Sequence, residues 1–189
     1  LLAVPGRGED KQDCMSRRVQ ASWPDALVVH RLDMATSGLM LFARGAAMQR
    51  LLSQAFATRQ VHKHYIAVVA GSLPGPSGRI DLPLAADWPH RPRQKVDPVD
   101  GKASLTEWQW LSHDTGADSS RLALQPITGR THQLRVHLAA IGHPILGDSL
   151  YASDAVRDLA PRLLLHAQAV QLPHPATGAL LKLQCDTPF

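Results

Sequence analysis

Asp33 stands in His30-Arg31-Leu32-Asp33, directly after an apolar segment and ahead of the turn-prone Thr36-Ser37-Gly38. A carboxylate on a loop at a strand end is placed for nucleophilic or base chemistry, because such loops are where scaffolds present working residues. Taken alone, the same aspartate reads more readily as a turn residue bonding its own backbone. A second constellation runs Thr128-Gly129-Arg130-Thr131-His132-Gln133-Leu134-Arg135-Val136-His137. It sets two arginines, two histidines, a glutamine and two threonines around a helix start, a donor array suited to phosphate or carboxylate contact. A solvated helix end is the plainer alternative.

Other chemistries lack their patterns. His132 and His137 are five apart rather than four, and no HExxH occurs, so a metal site has little support. Ser37-Gly38 is not part of a GxSxG elbow, and neither a Walker loop nor GxGxxG is present. Cys14 and Cys185 are too few for a disulfide framework and read as reduced thiols. His62 and His64 flank Lys63 and fit an exposed strand edge, Tyr65 reads as a core or strand-edge aromatic, and His90, His113, His143, His166 and His174 gain no role from spacing.

The elements that must carry these residues belong to a chain of 189 residues with 44% hydrophobic and 19% charged positions, enough for one globular unit. The net charge of +4 is compatible with a polyanionic partner without requiring one. Its distribution says more, with basic residues at Arg17 and Arg18, from Arg91 through Arg93 to Lys95, and at Arg130 and Arg135. No apolar run approaches the roughly 20 residues of a membrane helix. Met48, Leu51, Leu52, Ala55 and Phe56 recur at helical spacing and predict a helix with that stripe inward. Ala26–Val29, Leu39–Ala43, Tyr65–Val69, Leu105–Leu111 and Leu122–Leu124 predict strands. Leu134, Leu138 and Ile141 predict a second helix, capped by Thr128 or Thr131 and stopped by Gly142 and Pro144. Loops are expected at Leu73–Gly78, Trp88–Pro98 and His113–Ser120. Without a regular βαβ rhythm, the mixture predicts an α+β fold built on antiparallel pairing.

Five separated segments, in order, resemble the RluA-type pseudouridine synthase family. They are HRLDMATSGL from His30 to Leu39, the K-x-Y-x-A-x-V-x-G strand of Lys63, Tyr65, Ala67, Val69 and Gly71, GRTHQLRVH ending at His137, HPILGDSLY from His143 to Tyr151, and LLLHA followed by His174-Pro175. DWPHRPRQKV, from Asp87 to Val96, is similar to the branch that modifies both 23S ribosomal RNA and transfer RNA.

The resemblance implies a mixed, mainly antiparallel sheet with flanking helices, forming one catalytic domain over residues 1–189. Relatives open this domain with a further strand carrying an asparagine-lysine-proline segment, which this chain is expected to lack, and no S4 module is expected before it. Asp33 would be the catalytic carboxylate, kept ionised by a paired Arg135. Tyr65 would stack on the target uracil and serve a late proton transfer from carbon. Arg31 would fill the gap left by the flipped base, and Lys63, Arg91, Arg93, Lys95, Arg130 and His132 would meet the RNA backbone. No cofactor is implied. The partner would be structured RNA, namely ribosomal and transfer RNA stem-loops, for a cytoplasmic monomer away from membranes. The competing expectations are a noncatalytic RNA-binding module or RNA chaperone and, less well supported, a hydrolase.

Overall fold

Period-two burial marks the longer central strands of the chain. In β9, for example, Ser120, Leu122, Leu124 and Pro126 are buried while the residues between them are less so. The computed structural model describes residues 1–189. Its first half runs α1 (Met15–Ser22), β1 (Ala26–Val28), β2 (Ser37–Gly38), β3 (Phe42–Arg44), α2 (Gly45–Ala57), β4 (His62–Ala70), β5 (Ser77–Asp81), β6 (Leu84–Ala86) and β7 (Gln94–Val96). The second half runs β8 (Leu105–Asp114), β9 (Ser119–Pro126), α3 (Gln133–Ala140), α4 (Asp154–Arg157), β10 (Leu165–Pro173) and β11 (Leu180–Gln184).

The main sheet has the order β11-β10-β4-β9-β8-β5, every neighbour antiparallel, with β2 added parallel to β10. Hairpin-like pairs β1–β3 and β6–β7 stand apart from it. The fold is therefore the expected α+β arrangement with a mixed, mainly antiparallel sheet.

Two hydrophobic clusters flank the working region. Leu134 and Leu138 of α3 pack on Ala67, Val69, Trp108, Leu122 and Leu124. Burying a leucine such as Leu122, Leu124 or Leu138 contributes about 1.5–3 kcal/mol. Leu52 and Ala55 of α2 pack instead with Ala43, Val61, Val170 and Leu172. No helix is long and apolar enough to cross a membrane.

Several local expectations change. The strand expected over Leu39–Ala43 is split. Gly38 adopts φ +108°, and the chain leaves β10 after Leu39 N–H bonds Ala167 O, re-forming as β3 against β1. Leu51 is 45% exposed, so the inward face of α2 is narrower than the apolar stripe. Neither threonine caps α3. His132 occupies that position with a left-handed backbone and no side-chain cap bond, while Thr128 Oγ1 instead accepts from Leu105 N–H and donates to Gln133. The expected loop at Trp88–Pro98 contains β7, and those at Leu73–Gly78 and His113–Ser120 are shortened by β5, β8 and β9. His62 and His64 do lie at an edge on one side, since β9 joins β4 only from Tyr65 onward.

Candidate active site

Asp33 is carried on the loop between β1 and β2. That loop is closed by the Thr36 N–H bond to Asp33 O and anchored by the two-residue β2 pairing with His166 and Ala167 of β10. A Cβ on Gly38 would strike the Ala167 carbonyl, so this close approach requires glycine as well as its φ. Opposite, β10 bulges between Ala167 and Ala169, beside its pairing with Tyr65 and His64 of β4. Bulges re-aim side chains next to working sites, and here three elements converge on one spot. Ser37 Oγ is engaged by Arg162 and lies 2.9 Å from Nδ1 of the buried His166, outside the cleft lining. That serine braces the loop and is no hydrolase nucleophile.

The cleft that Asp33 faces has a volume of about 620 Å³, within the usual range of ligand pockets. Arg31, Asp33, Lys63, Tyr65, Arg130 and His132 line it together. The Asp33 side chain is 25% exposed and accepts no hydrogen bond of its own. Its two nearest cationic or imidazole neighbours stand at 3.9 Å, Arg135 Nη1 from Oδ2 and His132 Nε2 from Oδ1. The carboxylate is thus held near donors yet left free.

Arg135 is placed differently from the expected simple pair. Its Nε and Nη2 donate to the two oxygens of Asp148 at 2.8 and 2.6 Å, a buried bidentate bridge, leaving Nη1 for Asp33. Burial works against the Arg135 charge, and the bonds and charge of Asp148, joined by the charge of Asp33 and by Tyr151, together more than offset it. Asp148 also accepts N–H bonds from Leu150 and Tyr151. Gly147, at φ +75° and with no room for a Cβ beside the Arg162 carbonyl, lets this turn form. Asp148 and Tyr151 have no role assigned from the sequence, and the signal for them is the segment HPILGDSLY in which they stand, with its Gly147-Asp148 turn.

The donor array of GRTHQLRVH is mostly consumed internally. Gln133 donates to Leu105 O and Thr106 Oγ1, and accepts from Thr128 and Arg130. His137 is fully buried, with Nε2–H donating to Leu82 O at 3.0 Å and Nδ1 2.9 Å from Thr106 Oγ1. Of the array's polar side chains, Thr128, Arg130, Thr131, His132 and Gln133 line the cleft, whereas Arg135 and His137 do not.

Burial, reinforced by the Asp33 charge, pushes the Tyr65 phenol well above its ordinary range. Burial also lowers Lys63, whose Nζ donates to Thr128 O at 3.4 Å. Beside them His30 stacks on Phe56 and accepts from Leu41 N–H, and burial, with Lys63 adding to it, lowers its pKa to about 4. Arg31 is exposed and has no ion-pair partner.

Arg91, Arg93 and Lys95 lie outside the cleft lining, on and before β7. Arg91 covers the exposed Trp88 ring at 3.4 Å, and Lys95 pairs with Asp97 at 3.0 Å. Arg93 stands 5.6 Å from the Tyr151 ring, and Gln94 N–H donates to Tyr151 Oη at 2.8 Å. The hairpin is thereby tied to the Asp33 neighbourhood through Tyr151. No three His, Cys, Asp or Glu side chains gather with metal-ligand geometry.

Residues 5–140 match the family model described as RNA pseudouridylate synthase. The dual-specificity RNA pseudouridine synthase RluA of Yersinia pestis is 49% identical over 100% of this chain and 91% of its own length. RluA of Escherichia coli K12 is 47% identical over 100% of this chain and 86% of its own. Human RNA Pseudouridylate Synthase Domain Containing 1 shares the fold at a TM-score of 0.81 and 27% identity, covering 100% of this chain and 84% of that one. The matched span holds Asp33, Tyr65 and Arg135, the residues that the structure assembles from the β1–β2 loop, β4 and α3, and the chain belongs to the RNA pseudouridylate synthase family.

Proposed function

We propose that this protein isomerises uridine to pseudouridine in structured RNA with Asp33 as the catalytic carboxylate and no cofactor. The reaction breaks the bond from the ribose to N1 of uracil, turns the base and rejoins it through C5. Atoms are conserved and nothing is oxidised, so a positioned carboxylate and proton transfers suffice. The observation that carries the assignment is an unbonded Asp33 carboxylate in the cleft, with Arg135 fixed behind it by Asp148.

A uridine reaching that carboxylate must leave its stack, at a cost of a few kcal/mol that loops and distorted hairpins reduce. Arg31, exposed and without a counter-ion, suits the gap-filling role, because a guanidinium plane stacks on bases. Tyr65 would pack against the uracil, and Lys63 and Arg130 would meet the RNA backbone at the cleft. Arg91, Arg93 and Lys95 would extend the contact along the hairpin. The relatives are described as dual-specificity RNA pseudouridine synthases, which supports two kinds of RNA substrate, and the resemblance of the Asp87–Val96 segment points to a 23S ribosomal hairpin and the transfer RNA anticodon stem-loop. In this reading residues 1–189 act as one catalytic unit, monomeric and cytoplasmic.

RNA tritiated at uracil C5 provides the test. The wild type is expected to release tritium from one or both hairpins, while Asp33→Ala binds the RNA and releases none. Binding without release by the wild type would leave the noncatalytic RNA-binding module in its place.

A further inference from the structure

His132 presents its two ring nitrogens to two different groups. Nδ1 lies 2.6 Å from Tyr151 Oη, and Nε2 lies 3.9 Å from Asp33 Oδ1. The Tyr151 hydroxyl already accepts from Gln94 N–H, so its single proton is available to Nδ1. With the imidazole hydrogen on Nδ1 instead, the phenol hydrogen would lose this partner and a bare Nε2 lone pair would face a carboxylate. The tautomer that satisfies every contact therefore carries its hydrogen on Nε2, directed at Asp33. Burial keeps this ring neutral by lowering its pKa, against the opposing pull of Asp33.

The backbone supplies an independent observation. His132 has φ +54°, one of three non-glycine residues at positive φ, and its side chain is only 11% exposed. Conformations of this kind cluster where function requires them.

We infer that His132 is a positioning residue for Asp33: its Nε2–H holds Oδ1 while Arg135 holds Oδ2, so the carboxylate keeps one orientation as the nucleotide arrives. This rests on Asp33 being the catalytic carboxylate. The 3.9 Å separation is about 1 Å longer than a hydrogen bond, and catalytic contacts tighten when substrate closes a site. His132 thereby acts on the carboxylate rather than on the RNA backbone. The Gln94–Tyr151–His132 chain also links β7 to Asp33, so RNA seated on the hairpin bears on the catalytic group through two hydrogen bonds.

Asparagine accepts a left-handed backbone and places its amide near the position of Nδ1, whereas the glutamine amide reaches the position of Nε2. Single-turnover tritium release and RNA affinity are measured for the wild type, H132Q and H132N. All three are expected to bind RNA within about twofold, with H132Q slowed less than about fivefold and H132N slowed about 10–100-fold. The opposite order would mean that His132 serves only to hold Tyr151, and equal rates would mean that it holds nothing of consequence. A loss of affinity matching the loss of rate would make it an RNA contact. Any of these outcomes overturns the inference. Tyr151→Phe, which leaves the His132 backbone untouched, covers the case of a misfolded H132N. It should slow release about 3–10-fold at unchanged affinity, and an unchanged rate would count against the proposal. Absence of release by the wild type defeats the isomerase assignment itself, whereas an active wild type matched by H132N defeats only the role of His132.

Discussion

At the scale of the residue, the arrangement around Asp33 turns on a shared guanidinium. Asp148 takes two nitrogens of Arg135 and fixes its plane, so the third nitrogen points at Asp33 without collapsing onto it. Removing one partner of such a buried bridge leaves an uncompensated charge, a cost of about 3–5 kcal/mol, which makes Asp148 as necessary to the site as Arg135. Tyr65 is poised differently. Burial and the neighbouring Asp33 charge keep its phenol protonated at neutral pH, so it meets the uracil as a neutral ring with a hydroxyl to donate. Tyr65→Phe is therefore expected to keep RNA affinity and stacking while losing most of the turnover in the tritium assay. Full turnover in that variant would confine Tyr65 to packing.

At the scale of the element, the two-residue strand β2 does more than its length suggests. Its parallel pairing with β10 anchors the loop that carries Asp33 at one end of a sheet otherwise antiparallel. A side chain at Gly38 would meet the Ala167 carbonyl at a backbone angle that L residues disfavour by about 1–2 kcal/mol. Gly38→Ala should thus lower stability by more than that amount in urea unfolding and slow single-turnover isomerisation, because Asp33 moves with β2. Gly178→Ala makes the contrast. Gly178 has positive φ but open space around it, so the substitution should cost only about 1 kcal/mol and leave turnover intact. Equal turnover in wild type and Gly38→Ala would show that the β2–β10 pairing does not position the carboxylate.

At the scale of the whole molecule, two hydrophobic clusters brace the cleft, and several histidines are held neutral among them. His30 is lowered to about 4, and burial lowers His64, His132 and His137 as well. A histidine whose pKa is lower in the folded than in the unfolded state stabilises fully above about pH 6.5 and loses that contribution as pH falls toward the folded value. For His30 alone the loss amounts to about 3 kcal/mol on reaching pH 4. The urea midpoint should fall between pH 7 and pH 4.5 at constant slope, and His30→Gln should flatten that fall. A midpoint independent of pH in this range would mean that these histidines are hydrated in the folded protein.

Fold class, the helix α2, most of the central strands and the residues lining the cleft are legible in the chain's letters alone. Period-two and period-3.6 burial are local properties, and HRLDMATSGL and GRTHQLRVH carry their identities in contiguous letters. Tertiary structure decided what those residues touch. The partner of Arg135 lies 13 positions away across a turn, and the contacts of Gln133 and His137 come from β8 and the segment after β5. Hydrogen-bond pairing among distant polar side chains leaves no periodic trace in the chain. Within one contiguous polar run, Gln133, Arg135 and His137 are therefore buried in internal bonds while Arg130 and Thr131 stay exposed, a division that only the packing of α3 against β8 and the Asp148 turn imposes.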